Sequence, residues 1–74
     1  MARVIVAAKG RSVTLDRASG FRPGLHLAVE DERPGEPARL HLRLVEAVSG
    51  DCLTLDDYLP FASAGMRAHL AQQV

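Results

Sequence analysis

An α+β fold is what this sequence predicts: a small antiparallel β-meander of four to five strands, with one C-terminal helix packed on a face. Three observations predict it. Between Ala38 and Val48, Leu40, Leu42 and Leu44 alternate with Arg39, His41 and Arg43, the period-two mark of a strand with one buried and one wetted face. Two further alternating runs, Arg3 to Leu15 and Leu25 to Asp31, are bounded by glycine and proline. After Asp56, Leu59, Ala62, Met66 and Leu70 fall at spacings of three and four residues, which is one helical face. The rival architecture is a small closed barrel with that helix as a cap.

Arg3 to Leu15 is expected to form a hairpin. Centring its turn on Lys9-Gly10 pairs Val4 with Leu15 and Val6 with Val13, all on one face. Asp16 to Gly24 is a loop, by its Gly20, Pro23 and Gly24, with Phe21 as a plug beneath it. The next strand turns Leu25, Leu27 and Val29 inward and His26, Ala28 and Glu30 outward. A turn centred on Pro34-Gly35 pairs Leu27 with Leu42, Val29 with Leu40 and Glu30 with Arg39. A slip of one residue sets Leu27 against Arg43, so that register is rejected, whereas a shift of two residues keeps the faces and stays open. The alternation falters at Val45, Glu46 and Ala47, so a bulge or strand end is expected there. Ser49-Gly50-Asp51 is a turn, and Cys52 to Leu55 a short fifth strand. In the C-terminal helix Pro60 suits the first turn and Ser63 is a rival N-cap. Beyond the two similar hairpins, no internal repeat is read.

The 74 residues make one small domain, residues 1–74, with only Phe21, Tyr58 and Phe61 as aromatics. A core of that size supplies about 3–5 kcal/mol without a staple. Cys52 is alone, so no disulfide adds to it. Self-association or docking on a partner is the expected supplement. A single thiol and the lack of an apolar run of membrane length or a signal-peptide core lead to a cytoplasmic expectation, with no membrane partner.

No stretch carries a catalytic signature, and the sequence is read as non-enzymatic, with no cofactor and no metal. His26 and His41, in the register above, lie diagonally across one wet face, roughly 7–8 Å apart. Zinc needs three or four ligands, and no third is fixed by spacing. Cys52 has Asp51 beside it, which disfavours a thiolate, so it reads as a structural thiol. Asp56-Asp57 resembles a carboxylate pair but is explained by the helix start that follows.

Net charge is zero but unevenly spread: up to Leu25 five cations stand against one acid, and from His26 onward four cations against eight acids. A helix with Ala64, Ala68 and Ala71, beside Phe61, on a second apolar face leaves a face for a partner in so short a chain. The function expected is therefore a protein-binding module, an accessory subunit or inhibitor that docks on a larger protein or on itself. Its contact surface would be Phe61, Ala64, Ala68 and Ala71, or the outer hairpin face with His26, Arg39, His41 and Arg43. The alternative is a small DNA-binding regulator using the basic N-terminal hairpin.

That alternative has a family attached. Ala8-Lys9-Gly10-Arg11, Val13-Thr14-Leu15, Arg22-Pro23-Gly24 and the strand from Leu25 to Glu30 resemble the swapped-hairpin DNA-binding domains of AbrB-type regulators and antitoxins. The resemblance covers less than half of the chain. It departs at Ser12, an extra residue, at Asp16, where the family has proline, and at Arg17 to Gly20, in place of a helix. It implies Lys9, Arg11, Arg17 and Arg22 as phosphate contacts and an intertwined dimer.

Overall fold

The computed structural model describes residues 3–59 and 62–71. Over these the chain is all β, with six strands: β1 (Arg3–Lys9), β2 (Ser12–Leu15), β3 (His26–Asp31), β4 (Arg39–Ser49), β5 (Cys52–Leu55) and β6 (Arg67–Ala71). They close into an antiparallel barrel in the order β1-β2-β5-β4-β3-β6, with β6 returning to β1. The barrel of the rival architecture is present, but its helical cap is not, and the α+β class is overturned. Where the helix was expected, a connection leads into β6. Gly65 there has a φ of +96°, a left-handed conformation that ends a turn rather than continuing a helix. Beyond it, Arg67-Ala68-His69-Leu70-Ala71 alternates with period two. Placed between β1 and β3, this segment covers two strand edges that a C-terminal helix would leave open.

Both hairpins are in a register other than the one the hydrophobic pattern predicts. In the first, Lys9 pairs with Ser12, so the turn is Gly10-Arg11, and Ile5 rather than Val4 faces Leu15. A bulge between Ile5 and Ala7 admits Val6 as an extra outward residue. Ile5 is then buried, while Val4 and Val6 are exposed. In the second, Leu27 does stand opposite Arg43, Ala28 opposite Leu42 and Val29 opposite His41. The phase of β4 is set further along the strand, where Val45 enters the core. Carried back by period two, it turns Leu44, Leu42 and Leu40 outward. The bulge expected near Val45 is found, between Val45 and Ala47.

The two bulges are one feature occurring twice. The first three strands and the last three are related by a pseudo-twofold axis: β1 corresponds to β4, β2 to β5 and β3 to β6. Pairs β2·β5 and β3·β6 lie on the axis and map onto themselves. Ile5, Val13, Leu15 and Ala18 answer to Val45, Leu53, Leu55 and Leu59, and together with Leu27, Val29, Phe21 and Ala68 they fill the barrel. The hydrogen bonds repeat as well. The amides of Ile5 and Val45 each donate at 2.8 Å, to the carbonyls of Met66 and Leu25. Arg3 Nε donates to the Arg17 carbonyl (3.0 Å), and Arg43 Nε to that of Tyr58 (3.3 Å). Arg3/Arg43, Ala7/Ala47, Gly10/Gly50, Thr14/Thr54, Leu15/Leu55 and Asp16/Asp56 are identical. The repeat is thus a three-strand unit, larger than the hairpin similarity the sequence suggested. Gly10 and Gly50 share a φ near +60°, which each two-residue turn demands.

Asp16 and Asp56 are fastened in the same way. The Val4 amide donates to Asp16 Oδ1 (3.1 Å) and the Leu44 amide to Asp56 Oδ1 (3.0 Å). Each carboxylate ties the residue after one strand to the neighbouring strand, near the start of β1 and midway along β4. Asp16→Ala and Asp56→Ala are each expected to lower stability by about 1 kcal/mol, a fall of roughly 4–8 °C in melting temperature. Unchanged melting of both variants by circular dichroism would remove this pairing from the account of stability.

Candidate functional site

The apolar helix face expected to bind a partner does not exist as a surface. Phe61 lies outside the described residues. Ala64 is exposed in the β5–β6 connection, Ala68 is fully buried in β6, and Ala71 is half-buried at that strand's end. The second expected surface is altered by the register. Arg39 is exposed, but His41 and Arg43 share the inward side of β4 with Val45 and are half-buried. His41 Nε2 stands 3.5 Å from Asp31 Oδ2, and Arg33 reaches the same oxygen at 3.4 Å. His26 is on the outward face, opposite Leu44, so the two histidines lie on different sides of the sheet and share no ligand. Among the described residues no group of three or more His, Cys, Asp or Glu side chains could hold a metal.

The four basic residues of the alternative reading are not brought together. Lys9 and Arg11 flank Gly10 at the β1–β2 turn, and Arg11 Nη1 lies 3.3 Å from Glu46 Oε1. Arg17 and Arg22 lie on the β2–β3 connection, which begins at the opposite end of β2. Arg22 lines a cavity of about 380 Å³ with Gly20, Gly24, Leu25, His26, Leu70 and Ala71. Cys52 is a half-buried free thiol opposite Thr14 and Ser49. Asp57 Oδ1 accepts the Tyr58 amide (2.7 Å), and Asp56 is the strand tie described above, so the two acids serve backbone amides.

The surface the sequence reading inverted is the outer face of the β3–β4 arm. Leu40 is 60 % exposed and Leu42 is 51 % exposed. They stand on one face, opposite Glu30 and Ala28 of β3. The arm projects because β6 covers β3 only from His26 to Val29 and β5 meets β4 only from Val45. Its tip, with Glu30, Asp31, Arg39 and Leu40, extends beyond the closed ring. The signal that finds this face in the sequence is the repeat. Aligning Ile5-Val6-Ala7-Ala8 with Val45-Glu46-Ala47-Val48 fixes the phase of β4, and with it the exposure of the leucines.

No family model, no curated protein and no solved structure matches this chain. No helix of the described residues is long and apolar enough to cross a membrane.

Proposed function

We propose that the protein is a non-enzymatic protein-binding module that docks through the outer face of its β3–β4 arm. The observation that carries this reading is the placement of Leu40 and Leu42. Two large aliphatic side chains lie more than half exposed on one projecting hairpin, where burial on a partner would remove them from water. Fully burying a leucine is worth about 1.5–3 kcal/mol, so two of them make a substantial anchor for a small interface. The lone thiol fits a reducing, cytoplasmic setting for such a module.

The experiment is affinity capture of the tagged protein from lysate of its source cell, with and without nuclease. The expected result is a stoichiometric protein that survives nuclease treatment. It is lost with the double variant Leu40→Asp/Leu42→Asp and kept with Val6→Asp, which alters β1, three strands away in either direction around the ring. Retention by the double variant, with the fold intact by circular dichroism, would overturn the assignment of this face. Capture that depends on nucleic acid and fails at high salt would instead favour the basic-hairpin alternative.

A further inference from the structure

We propose that the module takes its partner by strand addition: an extended segment alternating apolar with acidic residues pairs with the open edge of β4 at Leu40 and Leu42. The inference rests on the docking face above and says how that face is engaged.

β4 changes neighbours along its length. It pairs with β3 from Arg39 to Leu44 and with β5 from Val45 to Ser49. Its first half therefore has a strand on one side only, among the described residues. The direction of the backbone groups follows from three bonds. The Val45 amide donates to the Leu25 carbonyl, toward β3, whereas the Leu44 amide and carbonyl bond Asp56, away from β3. Strand amides alternate, so Leu42 and Leu40 also direct their N–H and C=O away from β3. The Leu42 carbonyl accepts from Arg43 Nη1 at 2.8 Å. The Leu42 amide and both backbone groups of Leu40 point into the open side. Such an edge is a template for another strand. Along this edge Leu40 and Leu42 occupy the outer face, while Arg39, His41 and Arg43 occupy the inner one.

Charge names the occupant. A strand laid beside β4 has alternate side chains on the outer face, next to Leu40 and Leu42, and on the inner face, next to Arg39, His41 and Arg43. Neither Arg39 nor Arg43 has a carboxylate within ion-pair distance among the described residues. Arg43 is directed onto the carbonyls of Tyr58 and Leu42. On the inner face Asp31 is already shared by Arg33 and His41, and Glu30 stands on the other face opposite Leu40. Apolar residues on the outer face and acidic residues on the inner face complete the pattern, since opposite charges across a ladder attract. A second copy of this chain fits less well. Setting Leu40 against Leu42 of an antiparallel copy places Arg39 against Arg43 at both ends. Setting Leu42 against itself places His41 against Arg43, and setting Leu40 against itself leaves Leu42 facing Ala38.

The test uses two dye-labelled synthetic peptides, one alternating valine with glutamate and one alternating valine with lysine, titrated against the whole protein by fluorescence anisotropy. The glutamate peptide is expected to bind on the order of tenfold tighter, and Arg39→Glu to abolish or reverse that preference. Leu40→Pro and Leu40→Ala separate edge from face. Both remove the leucine, but only proline removes the outward N–H, and it does so on the side where the β3 ladder is untouched. Binding by Leu40→Pro is expected to be about tenfold weaker than by Leu40→Ala. Equal binding of the two peptides, or equal loss in the two Leu40 variants, overturns strand addition. A protein-only dimer in sedimentation that protects the Leu40 amide from exchange overturns it in favour of a second copy. If lysate capture still depends on Leu40 and Leu42 while the two Leu40 variants behave alike, the docking face stands and strand addition falls. If capture ignores the leucines, the face itself falls.

Discussion

Ala68→Glu is expected to leave the chain unfolded. Ala68 is 0 % exposed, on the inward side of β6 between Val29 of β3 and Arg3 of β1. A glutamate there adds volume to a filled barrel and carries a carboxylate into it, and each effect is costly. Arg3 is the cation directly across the ladder. It is engaged with the carbonyls of Arg17 (3.0 Å) and Ser19 (2.7 Å), so drawing it onto the new carboxylate strips the β2–β3 connection of both bonds. The expected cost is several kcal/mol, as much as or more than the ~3–5 kcal/mol a core of this size supplies. Collapse of amide dispersion in a proton–nitrogen correlation spectrum reads it directly. The helical reading of residues 56–74 predicts the contrary, an unchanged fold with altered partner binding. A native-like spectrum of Ala68→Glu would therefore contradict closure of the barrel by β6.

Leu55→Ala and Leu42→Ala form the second test, and the contrast between them is what matters. Leu55 is wholly buried beside Val45, and its removal leaves a cavity in a core with few large side chains. Leucine-to-alanine changes at such sites cost about 2–5 kcal/mol, enough to leave much of this protein unfolded at 25 °C. Leu42 faces solvent, and its truncation is expected to change stability by no more than about 0.5 kcal/mol. Urea denaturation of the two variants beside the parent gives both numbers. Equal destabilisation would place the β4 leucines in the core and return the hairpin to the register with Leu27 opposite Leu42.

The strands were legible wherever alternation and a turn glycine coincided, which is why β2, β3 and β5 stand close to where the pattern puts them. What the pattern could not supply was phase. Val4 and Val6 are as apolar as Ile5, and only the bulge after Ile5 decides which of them faces inward. In β4 the three alternating leucines are the stronger hydrophobic signal, yet Val45 and Val48 sit in or against the core, on either side of a second bulge. Letting the leucines rather than Val45 set the inward side ahead of that bulge inverts the first half of the strand. The C-terminal error has another source. Residues 59–70 contain apolar positions compatible with helical spacing, but closing the barrel needs a sixth strand, a demand made by β1 and β3 from elsewhere in the chain. Among the candidate site residues, Arg39 is exposed but lies on the opposite face of β4 from the one expected. His41 and Arg43 were given the wrong side for the same reason the leucines were.

The pseudo-twofold arrangement has a consequence for valency. A barrel assembled from two identical half-chains would present every edge and every exposed face twice, and its melting would depend on concentration. Here the segment between β3 and β4 joins the halves covalently, so each half meets the other at a fixed effective concentration. Once joined, the halves need not match. β1 is described from Arg3, the counterpart of Arg43, whereas β4 begins four residues earlier and carries Leu40 and Leu42 out beyond the ring. Among the described residues that extension has no second copy. Among the described residues, a scaffold with twofold-related halves thus carries one feature that breaks the symmetry, the extension of β4 at Leu40 and Leu42.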